Sequence, residues 1–183
     1  EIRVTHEQNL VLPHVENCKL SEVWVRLKES GLATPNLGFI SDTICCPGMD
    51  YCALATARSI PISNKISKKY KQFNKQNDIG NLKIKISGCI NACGHHHVGN
   101  IGILGLERNG QESYQLTLGG SADENASIGE ILGPSFQEDK LMQAIEKILI
   151  VYKKNRNNEK EDFLKVYRRI GITPFKEGVY DNT

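Results

Sequence analysis

An α+β fold, with a mixed or antiparallel sheet and flanking helices, is the architecture that this 183-residue sequence predicts. Three observations point to it. Strand-like alternation fills the middle of the chain, apolar residues at spacings of three and four fill its last third, and the strands precede the helices instead of alternating with them. An apolar fraction of 39% is enough for a core, and 24% charged residues with a formal net charge of +2 is the balance of an ordinary globular chain. So small a net charge lacks the concentrated basic face of a nucleic-acid binder. No apolar run nears the roughly 20 residues that cross a bilayer. The chain opens Glu1-Ile2-Arg3-Val4-Thr5, with neither an initiator Met nor the pattern of an export signal, so a segment of something longer in a cytoplasmic setting is expected.

Taken in order, residues 2–15 predict an extended segment with Val4, Leu10, Val11 and Leu12 apolar and Pro13 at its end. Ser21 is the expected cap of a helix carrying Val23, Trp24, Leu27 and Leu32, with Gly31 near its close. Strand, helix and turn over the first 38 residues are too little to bury their own apolar face, so they should pack on something else. After Pro35, Asn36 and Gly38 comes a short strand at Phe39-Ile40, and Asp50 then reads as the N-cap of a helix through Ala57. A basic helical stretch follows from Lys65 to Lys75, with Ile66, Tyr70 and Phe73 apolar. Leu82, Ile84 and Ile86 alternate with lysines, predicting a half-buried strand. Two more strands are expected at 101–106 and 114–118. Leu141, Ala144, Ile145, Ile148, Val151 and Tyr152 define one face of an amphipathic helix. A last helix carries Phe163, Val166, Tyr167 and Ile170, stopped by Gly171 and Pro174.

The chemistry lies in the cysteines. There are six, and Cys45, Cys46, Cys52, Cys89 and Cys93 fall within one stretch. A secreted disulfide scaffold would spread them over a short chain with little core, so clustering here points to metal. Cys46 and Cys52 form a C-x5-C pair, and Cys89 and Cys93 a C-x3-C pair. Structural zinc favours tighter knuckles. Unequal, longer spacings suit a wider iron–sulfur cube. Spacing alone leaves the cube, zinc and unrelated thiols all open. Gly48, Gly88 and Gly94 flank these cysteines, either to let the backbone approach an inorganic core or to make turns. If Cys52 opens a helix, the positive end of that helix would favour its thiolate.

Cys46-Pro47-Gly48-x3-Cys52, followed by Ser87-Gly88-Cys89-Ile90-Asn91-Ala92-Cys93-Gly94, resembles the cluster motif of the sirohaem-dependent sulfite and nitrite reductases. Arg3-Val4-Thr5-x2-Gln8-Asn9-Leu10 is similar to the strand that precedes the cluster domain in that family. The likeness continues through Gly99-Asn100-Ile101-Gly102 and Gly119-Gly120. It implies that Cys46, Cys52, Cys89 and Cys93 hold a 4Fe-4S cluster, and that Cys93 is also the axial ligand of a sirohaem iron. Asn91, Gly94 and Gly88 would then lie beside the cofactors. It further implies the six-electron reduction of sulfite to sulfide, or of nitrite to ammonia. The cations that clamp substrate come from an earlier part of the polypeptide in that family. No catalytic side chain is therefore expected in this stretch, and alone it should be inert.

Other features are weighed against plainer roles. The three histidines His95, His96 and His97 cannot all face one ion, since neighbouring side chains diverge. They are expected to pack or hydrogen-bond, or to touch a cofactor edge. Cys45 is expected to be a core thiol and Cys18 a spectator. Lys65, Lys68, Lys69, Lys71 and Lys75 make either a solvated helix face or a docking surface for an acidic electron donor.

The complete expectation is part of a ferredoxin-like unit over residues 1–38, then a nitrite/sulfite reductase 4Fe-4S and sirohaem domain over 39–183. Its function would be that of the C-terminal cluster- and sirohaem-binding region of a sulfite reductase, with a nitrite reductase as the runner-up. Two alternatives come from other classes: an iron–sulfur electron carrier without sirohaem, and a zinc-stabilised module. The expected partners are the N-terminal part of the same enzyme, ferredoxin or a flavoprotein as donor, and sulfite or nitrite, with no nucleic acid and no membrane.

Overall fold

The computed structural model of the chain describes residues 1–181, the side chains of Phe73 and Asn74 excepted. It contains two compact units, Glu1–Pro35 and Asn36–Thr183. Gly38 is tied into the second unit. Its N–H donates to the Asp42 carboxylate at 2.9 Å, and its carbonyl accepts from Leu82 at 3.2 Å. The side chain of Phe73, assigned to an apolar helix face, and the last two positions of the expected 39–183 domain lie outside what the structure describes.

In the first unit the expected single extended segment is a hairpin. Strand β1 (Arg3–Val4) pairs antiparallel with β2 (Leu10–Val11), Arg3 opposite Val11. Thr5 and Gln8 explain the turn. The Thr5 hydroxyl oxygen accepts from the Asn9 N–H at 3.0 Å, and Gln8 takes a left-handed φ of +62°. Helix α1 (Leu20–Glu29) follows a 3-10 turn at Asn17–Lys19, so Ser21 lies inside the helix and does not cap it. Val23 and Leu27 are half-buried, and no α1 residue is fully buried.

The second unit is built on a five-stranded mixed sheet in the order β3-β4-β5-β6-β7. Its strands are β3 (Ile44–Cys45), β4 (Ile84–Ser87), β5 (Ile101–Arg108), β6 (Gln111–Leu118) and β7 (Glu130–Ile131). The first three run parallel and the last two antiparallel, which makes the sheet mixed as predicted. The β5–β6 hairpin turns at Asn109-Gly110, both with positive φ, as a tight turn between twisted strands requires. Phe39-Ile40 forms turns instead of a strand: Phe39 N–H returns to Asn36 and Asp42 N–H to Phe39. Ile40 is nonetheless fully buried.

One face of the sheet carries Ile84, Ile86, Ile101, Ile103, Leu116 and Leu118, all buried in a single core. Helices α2 (Ile60–Tyr70) and α4 (Glu138–Asn155) bring Ile62, Ile66, Leu141, Ile145 and Ile148 to the same core. Helix α5 (Phe163–Ile170) has its N-cap at Asp162, whose carboxylate accepts from the Lys165 N–H at 2.9 Å. Two helices went unpredicted: α3 (Phe73–Ile79) and α6 (Thr173–Tyr180). Pro174 does not stop a helix but starts one, because the first turn has no use for its missing N–H. Strand β4 is buried on both faces, Lys85 included, because a 3-10 turn at His96–Val98 lies against β4 and β5.

Candidate metal centre

Parallel pairing sets the site. Cys45 is in register with Ile86, and the Cys46 N–H continues the ladder to the Ile86 carbonyl at 3.1 Å. Both strands therefore release their chain at the same end of the sheet, and each release point leads directly into one cysteine pair. The first loop runs from Pro47 to Arg58 and the second from Gly88 to Gly99.

The first loop is not the helix that Asp50 was expected to cap. A 3-10 turn at Gly48–Asp50 is followed by turns through Ala57. Its donors divide between short local turns and acceptors farther along the chain. The Thr56 and Ala57 N–H groups both donate to Gly88 O at 2.9 Å, and Met49 N–H donates to Ala57 O at 3.2 Å. Cys52 therefore does not open a helix, and its N–H returns to Gly48 O at 2.9 Å. The second loop uses left-handed backbone at Ala92 (φ +57°) and His95 (φ +55°), with His95 N–H closing on Ala92 O at 2.7 Å.

The two loops lock together through glycines. A Cβ on Gly88 would lie 2.6 Å from Ala57 O and 3.0 Å from Gly48 Cα, and one on Gly94 would lie 1.8 Å from Ile86 O. The smallness of Gly88 and Gly94 is therefore used against neighbouring backbone, where it had been expected to serve an inorganic core or simple turns. Gly88 N–H also donates to the Cys46 sulfur at 3.0 Å, and Gly94 N–H to Ser87 Oγ at 3.2 Å.

Cys46 and Cys89 are buried at this junction, Cys52 is half-buried and Cys93 is exposed. Asn91 is exposed, with its carbonyl oxygen 4.0 Å from the Cys93 sulfur. The backbone thus brings both pairs to one end of the sheet. Among the described residues, however, no three His, Cys, Asp or Glu side chains gather as a site for a metal ion. All six cysteines are free thiols. Burial pushes the Cys45 thiol above its usual pKa, and its side chain packs on the core. Cys18 is exposed in the first unit, 3.6 Å from a Glu16 carboxylate oxygen.

The three histidines do not share one environment, although the His96 and His97 rings lie only 3.9 Å apart. His95 and His97 are exposed, while His96 is buried, with no hydrogen-bond partner at Nδ1. Burial holds its pKa down to about 4, which keeps the imidazole neutral.

Three residues that fasten the first loop escaped the sequence. Arg58 ion-pairs with Glu112 and, at 3.4 Å, with Asp50. Its N–H also donates to Glu112 at 2.7 Å, and the Tyr114 hydroxyl donates to the Arg58 carbonyl at 3.0 Å. This network fastens the end of the first loop to β6. Ser59, next along, is completely buried and donates to the Cys46 carbonyl. No local pattern marks Arg58, Ser59 and Glu112, because their partners lie far away in the sequence. Of the basic run, Lys65 pairs with Glu138 and Lys69 with Glu146, while Lys68, Lys71 and Lys75 are exposed.

A family model described as the nitrite and sulphite reductase 4Fe-4S domain matches residues 39–183. The chain is 27% identical over 176 residues to the sulfite reductase (NADPH) hemoprotein beta-component of Bacillus licheniformis, covering 94% of this chain and 30% of that protein. It is 29% identical over 157 residues to sulfite reductase (ferredoxin) 2 of Mycolicibacterium paratuberculosis, covering 80% and 28%. It is 26% identical over 161 residues to the chloroplastic ferredoxin–nitrite reductase of Spinacia oleracea, covering 82% and 26%. The chain thus spans about 30% of the length of these curated relatives. Among solved structures it is similar to the NirA protein of Mycobacterium tuberculosis, with a TM-score of 0.77 and 24% identity over 95% of this chain and 33% of that one. It is also similar to a dissimilatory sulfite reductase I, with a TM-score of 0.73 and 11% identity over 92% of this chain and 59% of that one. These two likenesses concern the fold.

Proposed function

The chain belongs to the nitrite and sulphite reductase 4Fe-4S domain family, and on that premise we propose that it is the cluster- and sirohaem-binding region of a cytoplasmic sulfite reductase. The observation that carries the proposal is the interlock of the two cysteine loops at one end of the parallel pair β3–β4. Cys46, Cys52, Cys89 and Cys93 would hold the cluster, with Cys93 shared with the sirohaem iron. Asn91, Gly94 and Gly88 would lie alongside.

The donor set suits such a group. Four soft thiols with no carboxylate or imidazole among them favour iron–sulfur chemistry. Their arrival in pairs from two loops fits a ligand wider than one ion. When bound, the two cofactors supply single electrons for the six-electron reduction of sulfite to sulfide.

The chain's own residues have narrower tasks. Cys46 and Cys89 present thiols from a buried floor, where low dielectric magnifies each contact to the sulfur. The second loop carries Cys93 outward to solvent, and Met49, Tyr51, Leu54 and Ile90 of the two loops also stand exposed. The remainder of the longer enzyme would cover that rim and bring the substrate-binding cations. Residues 1–38 would belong to a ferredoxin-like unit completed there. Ferredoxin or a flavoprotein would deliver electrons, and the exposed Lys68, Lys71 and Lys75 offer an acidic donor its charge complement.

Reduction of nitrite to ammonia is the second reading, favoured by likeness to a ferredoxin–nitrite reductase over 82% of the chain. Anaerobic purification with iron, sulfide and zinc analysis and an absorption spectrum tests the cofactor proposal. About five irons to four sulfides, the extra iron being that of the sirohaem, with added long-wavelength haem bands, is the expected result. A cluster spectrum without haem bands would favour a simple electron carrier, and a colourless zinc protein would refute the proposal.

A further inference from the structure

Ser59 occupies the N-cap position of α2 but caps nothing, since its side chain makes no hydrogen bond to the helix. A serine there ordinarily accepts from a first-turn N–H and stabilises the helix. Here the hydroxyl donates to the Cys46 carbonyl, and its oxygen lies 3.7 Å from the Cys46 sulfur. The side chain is wholly shielded from solvent. It is also wedged beneath the first loop, because a Cβ on Gly48 would come within 2.5 Å of Ser59 Oγ. Cys46 is thereby held from three directions. Its N–H donates to Ile86, its carbonyl accepts from Ser59, and its sulfur accepts from Gly88 N–H at 3.0 Å.

We infer that Ser59 is a positioning residue for the Cys46 sulfur, and that its hydroxyl and the Gly88 N–H together make Cys46 the corner of the quartet that best bears negative charge. This rests on the cluster proposal above. As a free thiol, Cys46 directs its own proton at Ser59 Oγ. As a metal-bound thiolate it has lost that proton, and the Ser59 hydroxyl is then a donor shared between the Cys46 carbonyl and sulfur. Hydrogen bonds to ligating sulfur stabilise the more negative, reduced cluster, and so raise its reduction potential. Cys93 stands in contrast: its sulfur is exposed and its contact is the Asn91 carbonyl at 4.0 Å, an acceptor. The quartet is polarised from a hydrogen-bonded buried corner to an open one.

The test compares Ser59→Ala and Ser59→Thr with the parent in the intact, anaerobically prepared protein. Midpoint potentials come from redox titration followed by EPR, with iron and sulfide content measured on the same samples. Ser59→Ala should shift the potential to more negative values, and Ser59→Thr, which keeps the hydroxyl, should return it toward the parent. If Ser59→Ala fails to hold the cluster, retention by Ser59→Thr alone supports the inference and loss in both overturns it. A parental potential in a cluster-loaded Ser59→Ala protein, or equal shifts in both variants, also overturns it. A parent that binds no iron and sulfide refutes the cluster proposal before any variant is compared, and the inference with it.

Discussion

Each cysteine pair has an anchored member and an outlying one. Cys46 and Cys89 follow closely on strands β3 and β4 and are each 8% exposed, whereas Cys52 and Cys93 ride on the turns beyond, half-buried and exposed. The contrast shows how the site is made. The anchored pair is placed by sheet register and by backbone contacts too tight to admit a Cβ. The outlying pair is placed by loops whose hydrogen bonds are mostly internal, joined to each other through Thr56, Ala57 and Gly88. Packing therefore defines half of the proposed donor set, and loop closure defines the rest.

Breaking the anchored half should have the largest effect. Gly94→Ala would set a methyl 1.8 Å from the Ile86 carbonyl oxygen and 3.2 Å from the Cys46 nitrogen. Neither atom can retreat, since both belong to the β3–β4 ladder. A loss of about 3 kcal/mol is expected from such overpacking. Urea unfolding of the metal-free protein checks this, and a change within experimental error would show that the anchor is softer than the contacts imply.

The second loop can be probed by pH. His96 is buried and neutral, with its pKa lowered from 6.5 to about 4 by desolvation and, to a lesser extent, by His97. In the unfolded chain its pKa returns to the ordinary value, so below about 6.5 the unfolded state binds a proton that the native state refuses. Stability should therefore decline as pH falls from 6.5 toward 4, and the full native advantage should be present above that window. The urea midpoint measured across the window should slope less in His96→Gln than in the parent. Equal slopes would place the pH sensitivity elsewhere.

The mildest perturbation falls on the outlying half. Arg58→Ala removes the clamp between the first loop, Asp50 and Glu112. The pair is partly exposed, so only about 1 kcal/mol of global stability should go. Alkylation of Cys52 should nevertheless quicken while that of buried Cys46 stays slow. Parallel acceleration at both cysteines would erase the distinction between anchored and outlying thiols.

How much of this was visible beforehand follows the same division. Strands β5 and β6 and helices α4 and α5 were legible because their burial follows from local periodicity, as did the mixed α+β layout. The two cysteine pairs stand out as local motifs, and the β3–β4 register brings both to one end of the sheet. The first loop was misread as a helix, since the acceptor of its Thr56 and Ala57 N–H groups is Gly88, far along the chain. The same distance hid Ser59 and Glu112. Pro174 misled for a different reason: a proline after a glycine stop reads equally as an end or as the first turn of a new helix. The hairpin of the first unit was missed because its turn rests on Thr5 and a left-handed Gln8, and not on glycine.

The central claim is that four particular thiols from two loops serve one cluster. Individual Cys→Ser exchange at all six positions, with iron and sulfide counted after anaerobic preparation, tests it most directly. Exchange at Cys46, Cys52, Cys89 or Cys93 should each abolish or severely deplete the cluster, while exchange at Cys18 or Cys45 leaves its content unchanged. A protein that keeps its full cluster after replacement of Cys46, Cys52, Cys89 or Cys93, or loses it on replacement of Cys45 alone, would contradict the account.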